Sequence, residues 1–539
     1  MIEISNVKPL ADGEKKSSAK VVSSADQIKE CYFSYLCDES RITTGQAEEI
    51  VFPESELELS EWLIHSHKSK KPVTISGGRT GIVGGAVPHG GSLISMERIK
   101  GMRKVRWDPA NKHWLLRVLP ALSLDELQHD LDNRNEKDRI KTDRTEEQIK
   151  FWSESDAWFY PPDPTEKTAH IGGTAATDAS GARSFKYGST RKHIKSLRFM
   201  TGDGSVFEIE RGNVIFAADD VIVLKGHHQK FSIAAPSFKS PKIKNTAGYF
   251  ARFPLDLIDL IIGSEGTLGI ITEVELSLRR KPEMNFSAVS YFNSEKQAFA
   301  FVDKIKNQPH SAGHTMKPAS IEYFGPNTIS LYRKKINQFS IPNNVKTAVF
   351  FEHETESKNL DRIYRHYDSL LNTCGSSIDM TWGALDEAEY QKMVKFRHAL
   401  PETINGMISQ RKQKNSNLHK ISTDFVLPER YFNEMYAYYR QILDNEGLEY
   451  YIFGHIGENH VHVNILPNSE DEIILAKSCY QNLAKKAVSL GGTICGEHGI
   501  GKLKKGLLQL MYSPSEIEAM RKLKLAFDPQ NSLGVETMF

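Results

Sequence analysis

Polar and apolar residues alternate strictly from His460 to Ile465, so as a strand this segment puts His460, His462 and Asn464 on one face and aliphatics on the other. A second alternation, Val274, Leu276 and Leu278, closes residues 257–278, which read as an apolar run, a Gly-Ser-Glu-Gly turn and a strand. SLRFMTGDGSVFEIE reads as a hairpin with Asp203-Gly204 at its turn. Between Ile50 and Met96 the pattern predicts a helix (ESELELSEWLIHSH), a strand, a glycine-dense turn and another strand. The last helix is the best marked. Ser513 supplies an N-cap, Pro514 the first helical position and Glu516 a capping box, and Asp528-Pro529 stops it. Residues 132–150 mix both charge signs without an apolar stripe and read as a solvated insertion. Composition shifts near Pro282, which divides the chain into a lead-in (1–45), a first domain (46–281) and a second (282–539).

Size and charge narrow the function classes. With 539 residues the chain exceeds one domain, and 39% hydrophobic content supports large cores. Lys and Arg number 69 against 68 Asp and Glu, so global charge predicts no nucleic-acid partner. Cys31, Cys37, Cys374, Cys479 and Cys495 have no clustered spacing. That predicts a reducing compartment and argues against an iron–sulfur module, leaving nitrogen and oxygen to hold any metal. The opening residues MIEISNVKPLADGEKKSS lack the apolar core of a secretory signal. Runs such as Leu257–Ile262 are broken by Asp259 and fall short of the roughly 20 residues of a membrane span. A soluble, cytoplasmic protein is expected.

The chemistry concentrates in two places. His455, in a glycine-bounded turn, precedes the alternating strand, and Glu497-His498 follows the helical run ending at Gly491-Gly492. Two imidazoles, a carboxylate and a spare histidine suffice for a three-ligand metal with an open position and a base beside it. Upstream, Gly77, Gly78, Gly81, Gly84 and Gly85 follow an apolar strand closely enough to aim several backbone N–H groups at one anion. Such a loop also serves as a plain tight turn. It is neither the dinucleotide fingerprint nor a Walker loop, since no helix start and no Gly-Lys-Ser/Thr ending follow. Two further small-residue loops, around Gly172-Gly173 with Ser180-Gly181 and at residues 262–269, suit a long cofactor with a pyrophosphate, a ring system and an adenine.

These three loops, in this order, resemble the FAD-binding domain of vanillyl-alcohol-oxidase-type (PCMH-type) flavoproteins. HIGENHVHVN and GEHGIG resemble the D-2-hydroxyacid dehydrogenase branch: D-lactate, D-2-hydroxyglutarate and glycolate dehydrogenase-like enzymes. The resemblance implies an α+β protein. Its FAD-binding domain has two α/β subdomains, and its substrate domain has an antiparallel sheet, covering helices and a C-terminal helical segment contacting FAD. By position it places pyrophosphate on Gly77, Gly78, Arg79, Thr80 and Gly81. Pro162, Asp163, Gly172, Gly173, Thr177, Ser180, Gly181, Tyr187, Gly266 and Ile271 would contact the rest of FAD. Relatives in other branches attach flavin through a His in the first loop; Arg79-Thr80 stand there, so FAD is expected to be non-covalent.

The implied reaction oxidises a D-2-hydroxyacid to the 2-oxoacid by hydride transfer to flavin. Arg397 would anchor the carboxylate. His455, His462 and Glu497 would hold Zn²⁺ or a similar divalent ion, and His498 would take the hydroxyl proton. Asn464 would bond the substrate, and Lys420 matches a family lysine near it, though a surface lysine fits as well. Pro401 replaces a family Thr, and the metal loop reads Gly457-Glu458-Asn459-His460 for the usual Gly-Asp-Gly-Asn. The acid and the acceptor (quinone, cytochrome or electron-transfer flavoprotein) stay open, as do a homodimer and peripheral membrane contact. The competing readings are an alkylglycerone-phosphate-synthase-like transferase and a non-catalytic flavin electron-transfer subunit.

Overall fold

The apolar alternations become strands inside separate sheets, each with a neighbour on both sides. A computed structural model describes residues 2–10, 18–42, 44–133, 145–153, 156–217, 219–308, 310–311, 314–336, 338–384 and 386–539. The chain folds as two units: Met1–Ser180 with Ser189–Lys281 and Glu497–Phe539, and Gly181–Gly188 with Pro282–Gly496.

In the first unit, Ile270–Ser277 is buried at every residue and forms the middle of an antiparallel five-stranded sheet. It pairs with Ile194–Met200 on one side and His113–Val118 on the other. Ile194–Met200 and Val206–Glu210 form the expected hairpin, with Gly204 at φ 81° in its turn. A smaller sheet sets Ser92–Ser95 parallel to both Glu49–Phe52 and Val73–Ser76, with the helix Glu56–Ser66 between the latter two in sequence. Parallel pairing requires such crossovers, and these strands are correspondingly apolar. Of the mixed-charge insertion, residues 134–144 lie outside the described residues; Glu146–Ser153 is a helix that buries Phe151 and Trp152.

Glu497–Phe539, grouped by the composition shift with the second domain, pack in the first unit. The helix Pro514–Phe527 begins with the expected Ser513 capping box. Beyond it Val73 N donates to Ser532 O at 2.7 Å and Gly534 N to Val73 O at 2.8 Å, so the chain end adds to an existing sheet edge.

The second unit is built on a seven-stranded antiparallel sheet. Its order runs Thr381–Ala384, Met284–Phe292, Thr347–Thr355, Ser320–Phe324, Tyr450–Gly454, His462–Ile465, Ile421–Ser422. Helices pack on it through aromatic side chains: Phe396 of the 28-residue helix Glu387–Lys414 stacks on Tyr332 with centroids 4.4 Å apart. Pro401 lies inside that helix and cannot donate to the carbonyl one turn back, that of Arg397. Gly181–Gly188 join this unit because Arg183 pairs with Glu352 and Tyr187 with Glu354.

Candidate active site

The strand Val73–Ser76 runs into the glycine-dense turn, where Arg79 takes φ 58° and Gly84 φ 79°. The short helix Ile171–Thr177 ends at Asp178 in the left-handed region, and the 263–269 turn carries Glu265 and Gly266 at positive φ. These three segments wall one cavity of about 340 Å³ within the first unit. A Cβ added at Gly81, Gly85 or Gly173 would meet no atom within 4 Å, so backbone borders open space there.

Three buried polar atoms in this wall have no partner among the described residues, Asp38 Oδ2 and two nitrogens. Arg79 lies over the Tyr35 ring, 4.3 Å from its centroid, and its buried Nη1 is unmatched. So is His170 Nδ1; burial, then the charges of Lys100 and Arg79, hold this imidazole below its usual pKa. The unmatched Arg79 donor among glycine amides fits a pyrophosphate.

Of the residues predicted to contact FAD, Gly77, Gly78, Arg79, Thr80, Gly81, Gly172, Gly173, Thr177, Ser180, Gly266 and Ile271 line this cavity. Pro162 is buried and Asp163 half-buried outside its wall, which takes up Pro164 and Thr165 instead. Gly181 and Tyr187 belong to the second unit, where Tyr187 Oη donates to Glu354 at 2.6 and 2.7 Å. The cavity wall also contains Glu497 and His498. His498 Nε2 lies 3.7 Å from Glu497 Oε1, while Glu497 Oε2 accepts from Lys244 Nζ at 3.0 Å and Ser180 Oγ at 3.3 Å. Glu265 holds the following turn by accepting from Ile500 N at 2.8 Å and Gly501 N at 2.7 Å. Burial nevertheless pushes the Glu265 carboxyl up to about 7.

In the second unit the other candidates sit on or beside the central strands. His455 Nδ1 bonds Glu322 at 2.6 Å, and Arg397 Nε lies 3.7 Å from the other Glu322 oxygen. Glu352, on the next strand, accepts from Ser320 at 2.8 Å and from Arg183 and Tyr390 at 3.2 Å. Burial pushes its carboxyl up, but Arg183, Ser320 and the charge of Arg397 bring it down to about 2. His462 Nδ1 bonds the Thr423 carbonyl at 3.1 Å, and its ring lies 5.5 Å from that of His455 and 4.6 Å from that of His460. His455 and His462 thus each direct Nδ1 to an oxygen, a bond that metal-binding imidazoles commonly make. His460 Nε2 is 3.0 Å from Asp424, whose other oxygen accepts from Cys495 Sγ at 2.8 Å. Potential ligand atoms of Asp424, His460 and His462 lie within 4.8 Å of one another. Asn464 is buried, and its Nδ2 has no partner among the described residues. Lys420 Nζ donates to Asn405 at 3.2 Å.

A model of the FAD binding domain matches residues 47–142 and 146–210, and one of the C-terminal domain of FAD linked oxidases matches 281–534. The chain belongs to the FAD-linked oxidases. Its cofactor is FAD, and the unmatched Arg79 donor and the glycine wall fit it. This FAD-linked oxidase is 26% identical over 389 residues to glycolate oxidase subunit GlcD of Bacillus subtilis, covering 72% of each chain. It is 26% identical to D-lactate dehydrogenase of Anaerostipes hadrus, covering 96% of this chain and 95% of the other. Among solved structures it shares its fold with alkyldihydroxyacetonephosphate synthase, at TM-score 0.60 and 17% identity, covering 95% of this chain and 81% of that one. No helix among the described residues is long and apolar enough to cross a membrane.

Several site residues of this oxidase escaped the sequence reading. Glu322, Glu352 and Asp424 sit on or beside strands whose alternation signals burial, yet nothing local says which distant cation each will meet. Lys244 and His170 lie in segments without periodicity. The one available signal was the placement of lone acids in otherwise apolar runs, which predicts a buried partner.

Proposed function

We propose that this FAD-linked oxidase oxidises a D-2-hydroxyacid to the corresponding 2-oxoacid. One observation carries the reading: the glycine-walled FAD cavity has Glu497 and His498 in its own wall, so a base borders the flavin site. Relatives named for glycolate and D-lactate, both 2-hydroxyacids, support it. Bound FAD would supply the acceptor for the hydride leaving the α-carbon. The His498 imidazole takes the hydroxyl proton, so the C–H electron pair and the O–H proton leave separately and a C=O bond forms.

Arg397 binds the substrate carboxylate, its Nε turned to Glu322. Asn464 offers a buried, unmatched Nδ2 donor for a substrate oxygen. Lys420 adds positive charge. His455, His462 and Glu497 are the proposed ligands of Zn²⁺ or a similar divalent ion, which would lower the pKa of the substrate hydroxyl. FAD attachment is non-covalent, the acceptor is a quinone, cytochrome or electron-transfer flavoprotein, and the location is cytoplasmic. Alkyldihydroxyacetonephosphate synthase shares only the fold at 17% identity, so the transferase reading gains nothing specific.

The test is anaerobic bleaching of the flavin by a panel of D- and L-2-hydroxyacids, with metal analysis of the same sample. Bleaching by D-enantiomers only, with about one divalent ion per chain, is expected. A flavin that no 2-hydroxyacid reduces contradicts the assignment.

A further inference from the structure

Glu497 already has a cation. Lys244 Nζ lies 3.0 Å from its Oε2, and the two side chains are only 11% and 10% exposed. Ser180 Oγ reaches the same oxygen at 3.3 Å. Lys244 is not a loose surface lysine that has drifted onto a carboxylate. Two residues on, Thr246 Oγ1 accepts from Gly499 N at 3.2 Å, so residues 244–246 clamp 497–499 at two points. The strap is itself braced: Arg252 donates to Ile243 O at 2.7 Å, and Tyr512 Oη to Ala247 O at 3.1 Å. Asn245 closes a turn with Ala247. All of these residues belong to the first unit.

A half-buried ammonium on a carboxylate and a divalent cation on that carboxylate compete. If Lys244 stays on Oε2, its charge repels an ion taken by Oε1; if it leaves, the ion must replace its hydrogen bond. Either way the lysine weakens metal binding.

We propose that Lys244 is a built-in cation that holds the Glu497 carboxylate and is displaced when a divalent metal binds, so that it sets the metal affinity of the site. This rests on the reading of Glu497 as a metal ligand. Lys244 is a positioning residue: in the metal-free protein it keeps Glu497 ordered and its charge matched, and it reserves the carboxylate for an ion that can outbid an ammonium.

The experiment is calorimetric titration of Zn²⁺ into metal-stripped, FAD-loaded wild type, Lys244→Met and Lys244→Arg, with flavin absorbance as the check on folding. Lys244→Met should bind Zn²⁺ about tenfold tighter or more, the size expected when one unit charge beside a dication is removed, and its metal-free form should melt lower. Lys244→Arg keeps the charge and should stay within about threefold of wild type. A Lys244→Met affinity equal to or weaker than wild type, with wild type binding normally, overturns the proposal and leaves the metal reading standing. Absence of Zn²⁺ binding by all three proteins removes both. A second measurement needs no variant: labelling of Lys244 by an amine reagent, mapped by peptide mass spectrometry, should rise when Zn²⁺ is added to wild type. Unchanged labelling at saturating Zn²⁺ contradicts displacement.

Discussion

The cavity of the first unit is walled by glycines and small residues and leaves an Arg79 donor unmatched, whereas two guanidiniums of the second unit are set against buried carboxylates. Arg183 meets Glu352, and Arg397 faces Glu322. On the proposed function the difference follows from what each would hold. Backbone N–H groups bind a long, chemically constant cofactor without needing any one side chain, and glycine lets them approach it. A small substrate offers few atoms, so recognition falls to individual side chains, whose orientation must be fixed by partners. Substitutions should therefore separate two phenotypes: loss of flavin from the first unit, loss of turnover without loss of flavin from the second. The proposed catalytic pair is the instructive exception, since Glu497 and His498 line the flavin cavity yet should act on substrate.

His498→Asn probes that exception and should give the largest effect. The reduction step should slow by about 10²–10⁴-fold, the usual contribution of a positioned base, while FAD content stays at one per chain. Stopped-flow reduction with absorbance before mixing checks both. Loss of the flavin instead would make His498 a cofactor residue.

Glu352→Gln tests whether carboxylates really carry the second unit. The Glu352 carboxyl, ordinarily near 4.5, sits at about 2 when folded. A folded pKa below the unfolded one stabilises above the unfolded value, and the benefit is lost as pH falls through the folded one. The variant should therefore be less stable by about 3 kcal/mol at neutral pH, with the difference fading between about pH 4.5 and 2. Thermal melting across that range checks it; a pH-independent difference would assign Glu352 a packing role.

Much of the frame was legible in the sequence because its signals are local. Ser513-Pro514-Glu516 start a helix by capping chemistry that needs no distant partner, and the alternation over 460–465 forms a strand from His462 on, with His462 and Asn464 on one face and His460 bridged to Val426 before it. The glycine loops were legible because their density has few other uses. Long-range pairings were not. Glu322 meets His455 133 positions away, and Lys244 meets Glu497 across 253. Neither separation leaves a periodic trace. The same reason hid the return of Ser532–Gly534 to Val73 and the transfer of Tyr187 to Glu354.

Arg397→Ala removes the proposed carboxylate anchor. A charge-assisted bidentate contact contributes about 1.5–3 kcal/mol, roughly tenfold to a few hundredfold in kcat/KM, carried mainly by KM. Arg397→Lys should recover only part of it. An unchanged KM would move the anchor, with Lys420 next in line.

Gly173→Val should give the smallest effect and the opposite phenotype. A side chain there fills open space rather than displacing protein, so the apoprotein should fold. Flavin binding should weaken by about 1–3 kcal/mol of overpacking, or roughly five- to a hundredfold in Kd. Added FAD should restore turnover at an unchanged substrate KM; a raised KM would blur the division between the units.

The division is tested most directly by one spectrum: the flavin absorbance of Arg397→Ala before and after anaerobic mixing with D-lactate. The account predicts a wild-type complement of FAD that bleaches at least about tenfold more slowly than wild type. A colourless protein, or bleaching at the wild-type rate, would contradict it.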